Sequence, residues 1–238
     1  MSTKTVSIVI PAYNEKAYLP AALESMHRQV KAMNRQVELL LIDNNSTDDT
    51  SRIAREFGAT VIEERRQGYV YAVARGLQCA HGDIVIVTDA DVVVAEDWLA
   101  RIMDAFEDPC IAMVSGSLFM KGASPILDAV TYHVYTLFLR LHFAIGRPHV
   151  SGACFAVTRR ALELCGPIDT RYAIGLDVHL GLIMQRYGRV VLREDIRITT
   201  SNRRFSKGPL KELKKYVGAY FAVVWLGIPY TRSLSAPR

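Results

Sequence analysis

Four short, continuous apolar segments, separated by helix-length stretches, constrain the fold more than any other feature of the chain. They are VSIVI (6–10), VELLLI (37–42), ATVIE (59–63) and DIVIVTD (83–89), all rich in β-branched residues. None shows the strict alternation of a strand wetted on one face. Runs of this kind suit strands covered on both faces, as in a mostly parallel sheet with helices on each side. In the first gap Tyr18, Leu19, Ala22, Leu23, Met26, Val30 and Met33 recur at helical spacing. Ser46, Thr47 and Asp48 offer N-caps for a second helix through about Phe57, and 69–80 and 96–106 read as two more.

The second half is less regular. Segments 111–116, 153–158, 190–192 and 196–200 read as strands, and 177–187 and 210–226 as helices. The long segment 126–145 is apolar and aromatic and reads as helical. A core or oligomer contact is its first expectation, with sugar stacking or a lipid-facing role for Tyr132, Tyr135, Phe138 and Phe143 second. No repeat and no Pro-, Gly- or Ser-rich linker interrupts the 238 residues, so the expectation is one α/β domain with a sizeable core. Its parts would be a ligand-binding half (1–115), a second half (116–208) and a basic, then apolar, C-terminal helix and tail (209–238).

Composition narrows the setting. Cys79, Cys110, Cys154 and Cys165 form no CxxC pair, which disfavours a zinc site or a disulfide framework and suits a reducing, cytoplasmic location. The first residues enter an apolar run without a charged leader, so no export signal is read. No apolar stretch reaches the roughly 18 to 20 residues that span a bilayer. The net charge of +5 is uneven, because residues 201–238 hold eight Lys or Arg and one acid, Glu212. Such asymmetry points to an anionic partner near that end, whether a phosphate, a membrane surface or a nucleic acid.

In an open parallel sheet, ligands bind beyond the carboxyl ends of the strands. The residues there are Pro11-Ala12-Tyr13-Asn14-Glu15, Asp43-Asn44-Asn45 and Asp89-Ala90-Asp91. Asp89 and Asp91 are two apart in what reads as extended chain, which would put both carboxylates on one side. Such a pair repels itself unless a cation sits between its members or one is protonated. Mg2+ or Mn2+ is commonly held by one or two carboxylates together with substrate phosphates. Asp43 can accept hydrogen bonds from a ribose or base, or cap the following helix; the chemistry leaves both open. No GxGxxG and no GxxxxGK[ST] occurs, which disfavours a Rossmann dinucleotide site and a P-loop.

VSIVIPAYNE, LLLIDNNSTDDT and GYVYAVARGLQCAHGDIVIVTDADVVV, in that order, resemble the nucleotide-sugar half of glycosyltransferase family 2, which has the GT-A fold. SGACFAVTRRALELCGPID and GLDVHLGLIMQRYG resemble its acceptor-side segments, so the likeness covers about residues 5 to 205. The resemblance implies that Pro11, Ala12, Tyr13 and Glu15 line the nucleoside pocket and that Asp43 binds the base or ribose. It implies that Gly68 and Arg75 lie on the loop and helix that close over the nucleotide. Asp89 and Asp91 match the D-x-D pair, with Asp91 the direct metal ligand. Asp177 matches the catalytic base, although Leu176 stands where the family usually has Glu; an N-cap is its other expected role. His179, two residues on, is a further candidate for reaching the metal. Gly152, Arg203, Arg204 and Lys207 are expected phosphate or acceptor contacts.

The expected reaction is therefore an inverting, metal-dependent transfer from a nucleotide diphosphate sugar, with UDP-sugars first and GDP-sugars second, to a hydroxyl or lipid-linked acceptor. Ser206-Lys207 resembles the polyprenyl-phosphate sugar synthases of the same family, which makes such a synthase at the membrane surface an alternative. Lys211 to Trp225 suits a helix in a membrane interface or one packed on the domain. The leading reading has no nucleic-acid partner; a binding module for nucleotides or nucleic acid, without transferase activity, is the rival from another class. The oligomeric state is not legible.

Overall fold

A computed structural model describes residues 4–33, 36–122, 124–201 and 209–230. The four apolar runs form β1 (Val6–Ala12), β2 (Val37–Asp43), β3 (Thr60–Glu63) and β4 (Ile84–Thr88). They are joined by α1 (Leu19–Met33), α2 (Thr50–Glu56) and α3 (Tyr69–Cys79). Then follow β5 (Val92–Val94), α4 (Trp98–Ala105), β6 (Ile111–Lys121), α5 (Pro125–Ala144), β7 (Cys154–Thr158) and α6 (Arg159–Cys165). The chain continues through α7 (Leu176–Met184), β8 (Arg189–Ser201) and α8 (Pro209–Trp225).

All eight strands form one sheet in the order β3-β2-β1-β4-β7-β6-β8-β5. The first four pair in parallel, as their continuous apolar runs predict. β7 is antiparallel to both β4 and β6, β5 is antiparallel to β8, and β6 and β8 are parallel with two register shifts. Successive residues of β1 feed opposite layers. Ile8 and Ile10 pack in one core with Leu19, Leu23 and Trp98, whereas Val9 packs in the other with Val73, Leu77 and Phe155. That two-sided burial is why the strand reads as an unbroken apolar run. All four cysteines are free thiols; Cys154 is buried, and desolvation pushes its thiol up to about 12.

Four local expectations need correction. The Asp89–Asp91 segment is a turn and not extended chain, because β5 leaves the central strand β4 to pair at the far edge of the sheet. The two segments 190–192 and 196–200 belong to a single strand, β8. The N-cap of α2 is Asp49; Asp48 stands before it and accepts the Thr50 N–H at 3.0 Å, while Ser46 and Thr47 lie further out. The helix α5 is not a core element, since Thr136 and Leu139 are its only buried residues. Among the described residues, no helix is long and apolar enough to cross a membrane.

Candidate active site

The strand order places a topological switch between β1 and β4, since β1 leads to β2 on one side and lies beside β4 on the other. A crevice outside the carboxyl ends of such strands is where open α/β sheets bind ligands. Pro11 and Ala12 complete β1, both buried, and pair with Ile42 and Asp43 of β2. Their contribution to that edge is therefore backbone and packing, and Tyr13, half-buried, is the first side chain beyond them. Tyr13, Asp43 and Asp89 thus leave three strands that neighbour one another in the sheet, and they do so at the same end.

Hydrogen bonds fix these tips. Asn14 donates its N–H to Ser46 Oγ at 3.0 Å and accepts from the Thr47 N–H at 2.7 Å. The Glu15 N–H donates to Thr50 Oγ1 at 2.8 Å, and Glu15 itself is buried. Asp43 accepts from the Ser46 N–H at 2.9 Å and from Ser51 Oγ at 2.5 Å. Asp43 therefore ties down the loop ahead of α2 and does not cap that helix, whose N-cap is Asp49, and its remaining lone pairs are what it has to offer a ribose or base.

Asn44 is the residue whose importance the sequence conceals. It is buried, donates to the carbonyls of Glu64 and Arg66 at 2.8 Å each, and accepts from the Gly68 N–H at 2.7 Å. It thereby ties the tip of β2 to the loop that opens α3. Gly68 caps that helix at φ 140°, a conformation L side chains rarely adopt. Arg66 forms a forked pair with buried Glu64, both bonds 2.9 Å, and stacks 4.9 Å over the ring of Tyr71. That guanidinium holds the Glu64 carboxyl below its ordinary range, with a smaller contribution from the charge of Arg75, which sits half-buried within α3.

Asp89 and Asp91 are both half-buried on the β4–β5 turn. Thr200 of β8 donates its hydroxyl to Asp91 Oδ1 at 3.4 Å. Among the described residues, no group of three or more His, Cys, Asp or Glu is placed to hold a metal by protein ligands alone. Two hard carboxylates on a partly exposed turn fit instead an ion that takes its other ligands from a bound diphosphate and water.

Asp177 arrives from the other half of the chain. The N-cap of its helix is Gly175, so Asp177 lies in the first turn and is not the cap. Desolvation pushes its carboxyl from 3.8 up to about 6, and N–H groups of Val178, Asp177 and Gly152 partly offset that rise. A Cβ at Gly152 would stand 2.7 Å from Asp177 Oδ2, so only glycine admits this approach. Gly152 also accepts from the Tyr69 hydroxyl at 3.1 Å, and the next residue, Ala153, accepts from Thr88 Oγ1 at 3.0 Å. Thr88 precedes Asp89. One short loop therefore joins Asp177 to the D-x-D turn and to the start of α3.

His179 does not turn toward that turn. Two residues along a helix it faces about 200° away from Asp177, and it stacks on Tyr172 with ring centroids 3.6 Å apart. Arg203, Arg204 and Lys207 lie outside the described residues. Two surface cavities of about 390 and 940 Å3 lie elsewhere, and neither is lined by a strand-tip residue. Thr88, Tyr69 and Thr200 carry no local signal that sequence reasoning can use, since a fold is needed to bring them to the acids.

Residues 7–165 match the model of the family described as Glycosyl transferase family 2, and the chain belongs to that family. Over 109 residues it is 34% identical to undecaprenyl-phosphate 4-deoxy-4-formamido-L-arabinose transferase of Aeromonas hydrophila, covering 43% of this chain and 33% of that protein. Over 181 residues it is 26% identical to glycosyltransferase AglE of Haloferax volcanii, covering 73% and 59%. The chain thus spans between a third and three fifths of these relatives. Its structure is similar to mannosyltransferase PcManGT of Pyrobaculum calidifontis in complex with GDP-Man and Mn2+, with a TM-score of 0.69, 22% identity and coverage of 95% and 65%. It is also similar to glucosyl-3-phosphoglycerate synthase of Mycobacterium tuberculosis in complex with Mn2+, UDP and glucosyl-3-phosphoglycerate, with a TM-score of 0.63, 22% identity and coverage of 96% and 82%. The fold is that of the GT-A glycosyltransferases.

Proposed function

We propose that the chain is an inverting, metal-dependent glycosyltransferase that moves a sugar from a nucleotide diphosphate sugar to a hydroxyl acceptor, in the making of a cell-envelope glycan or glycolipid. The observation that carries this reading is the loop Ser151–Ala153, whose hydrogen bonds reach the desolvated carboxyl of Asp177 on one side and Thr88, the neighbour of Asp89, on the other. Tyr13, Glu15 and Asp43 would form the nucleoside side of the crevice, with Gly68 and Arg75 on the element that covers it. Asp89 and Asp91 would hold Mg2+ or Mn2+, which when bound offsets the negative charge of the departing nucleoside diphosphate. Asp177 takes the proton of the attacking hydroxyl, and a carboxyl raised to about 6 is ionised at neutral pH yet remains a competent base. A single base that activates an external hydroxyl for direct displacement gives inversion at the sugar carbon.

Calorimetric titration with UDP and GDP, with and without Mn2+, followed by a donor-hydrolysis screen of UDP-, GDP- and dTDP-sugars, tests the reading. Metal-dependent diphosphate binding with sugar release supports it. Binding of nucleic acid with a steep salt slope and no diphosphate preference supports a non-catalytic module instead.

A second reading, a polyprenyl-phosphate sugar synthase at the membrane surface, is favoured by the names of relatives such as the Aeromonas protein. A phosphate acceptor is already ionised and has little use for a base. Asp177→Asn therefore separates the two: it removes transfer to a hydroxyl and leaves transfer to a lipid phosphate largely intact.

A further inference from the structure

One apolar stripe of α5, continued by the C-cap residue Ile145, faces outward. Ile126, Val130, Val134, Leu137, Leu141 and Ile145 follow one another at steps of three or four and are 52–79% exposed. A second stripe, Val217, Phe221, Trp225 and Ile228, runs along and just past α8 at 51–57% exposure. Apolar side chains exposed in such stripes, and not scattered singly, mark an interaction surface.

The two stripes flank a common seam. Phe138 and Tyr220 meet with ring centroids 5.5 Å apart, and Tyr220 is hydrogen-bonded to His142. Further along, Arg147 donates to the Val224 carbonyl and lies 4.8 Å over the ring of Trp225. These contacts, with His149 also 5.6 Å from the Tyr220 ring, join the C-terminal half of α5 and the residues after it to α8, so the two apolar stripes lie on adjoining elements.

We propose that this two-helix face docks on an anionic membrane surface and lies in the headgroup region without spanning. Charge selects the occupant. Residues 201–238 carry eight basic residues against one acid, and the sequence places Lys211, Lys214 and Lys215 in the first turns of α8. Apolar stripes beside a basic segment match the amphipathic character of interfacial helices and the negative potential of anionic lipid. A second copy of the chain on the same face would bring two strongly basic segments together at a cost. The 20 residues of α5 give an axis about 30 Å long that can lie along a bilayer. The inference does not rest on sugar transfer; it adds that the surface beside Asp177's half of the chain is the one turned to the lipid.

The test uses the full chain with vesicles of phosphatidylcholine, alone or with about 30% phosphatidylglycerol. The chain has two tryptophans; Trp98 is fully buried and Trp225 is half exposed, so a blue shift of emission on adding vesicles reports Trp225 entering lipid. The expected result is co-sedimentation with anionic vesicles, a blue shift, and an at least tenfold lower partition for the double substitution Val130→Glu, Val134→Glu. Both positions are exposed, and an unchanged circular dichroism spectrum shows that the variant folds. Equal partition of variant and wild type overturns the proposal. So does a wild-type chain that ignores anionic vesicles while sedimenting as a dimer, which assigns the face to a second copy. A chain that binds vesicles but releases no sugar from any donor leaves this inference standing and removes only the transferase reading.

Discussion

Asp177→Asn tests two consequences of one desolvated carboxyl. Burial raises its pKa from 3.8 to about 6, so the folded chain retains a proton that the unfolded chain releases between those values. Stability therefore falls as pH rises through that window, and the full penalty is present above about pH 6. The rise corresponds to at most about 3 kcal/mol, and the residue's partial exposure brings the expectation down to about 1–3 kcal/mol. Asparagine keeps the shape and a carbonyl for the Gly152 N–H while discarding the charge. The variant is expected to be more stable than wild type at pH 7, melting about 2 to 10 °C higher. That gap should close by about pH 3.5. The same change should cost about 10²–10⁴ in transfer to a hydroxyl acceptor. Urea melts at both pH values, paired with product formation, read both effects. A stability gap that does not change with pH, or a variant less stable at pH 7, refutes the account of the carboxyl. Unchanged turnover to a hydroxyl refutes its role as base.

Turnover of the wild-type chain should drop about tenfold per pH unit below about 6, as Asp177 takes up its proton, and a profile flat to pH 5 contradicts this. Asp91→Ala should abolish Mn2+-dependent binding of UDP or GDP in calorimetry while leaving the melting temperature within about 2 °C, since the side chain lies on a partly exposed turn. Gly152→Ala sets a methyl 2.7 Å from Asp177 Oδ2 and should lower kcat at least tenfold with donor affinity retained, as steady-state kinetics can show. Asn44→Ala strands the Gly68 N–H and two carbonyls and should destabilise by about 2–4 kcal/mol in urea melts.

The parallel half of the sheet was legible because its central strands, β1 and β4, are buried on both faces, and burial of that kind writes itself as an unbroken apolar run. The far half was less so. Val92–Val94 continues the apolar text after Asp91, and nothing local says that it pairs with β8 across the sheet and not with a neighbour of β4. The turn at Asp89–Asp91 is a consequence of that long-range pairing. In α5 the outward stripe was hidden because aromatic residues occupy much of the inward face, so neither side reads as polar. The glycine before Leu176 was a local hint that the helix begins ahead of Asp177. The strand-tip acids were visible as residue types in position. Their supports, Asn44, Tyr69, Thr88 and Thr200, were not, because each acts through a contact between segments distant in the chain.

The Thr200 hydroxyl on Asp91 has a mechanical consequence. Thr200 is paired with Val92 and stands near the end of β8, so the acid and the strand that steadies it belong to one rigid patch. Whatever pulls on the chain just beyond β8 pulls on that patch. Loosening the β5–β8 pairing would therefore loosen the hydroxyl's hold on Asp91 as well.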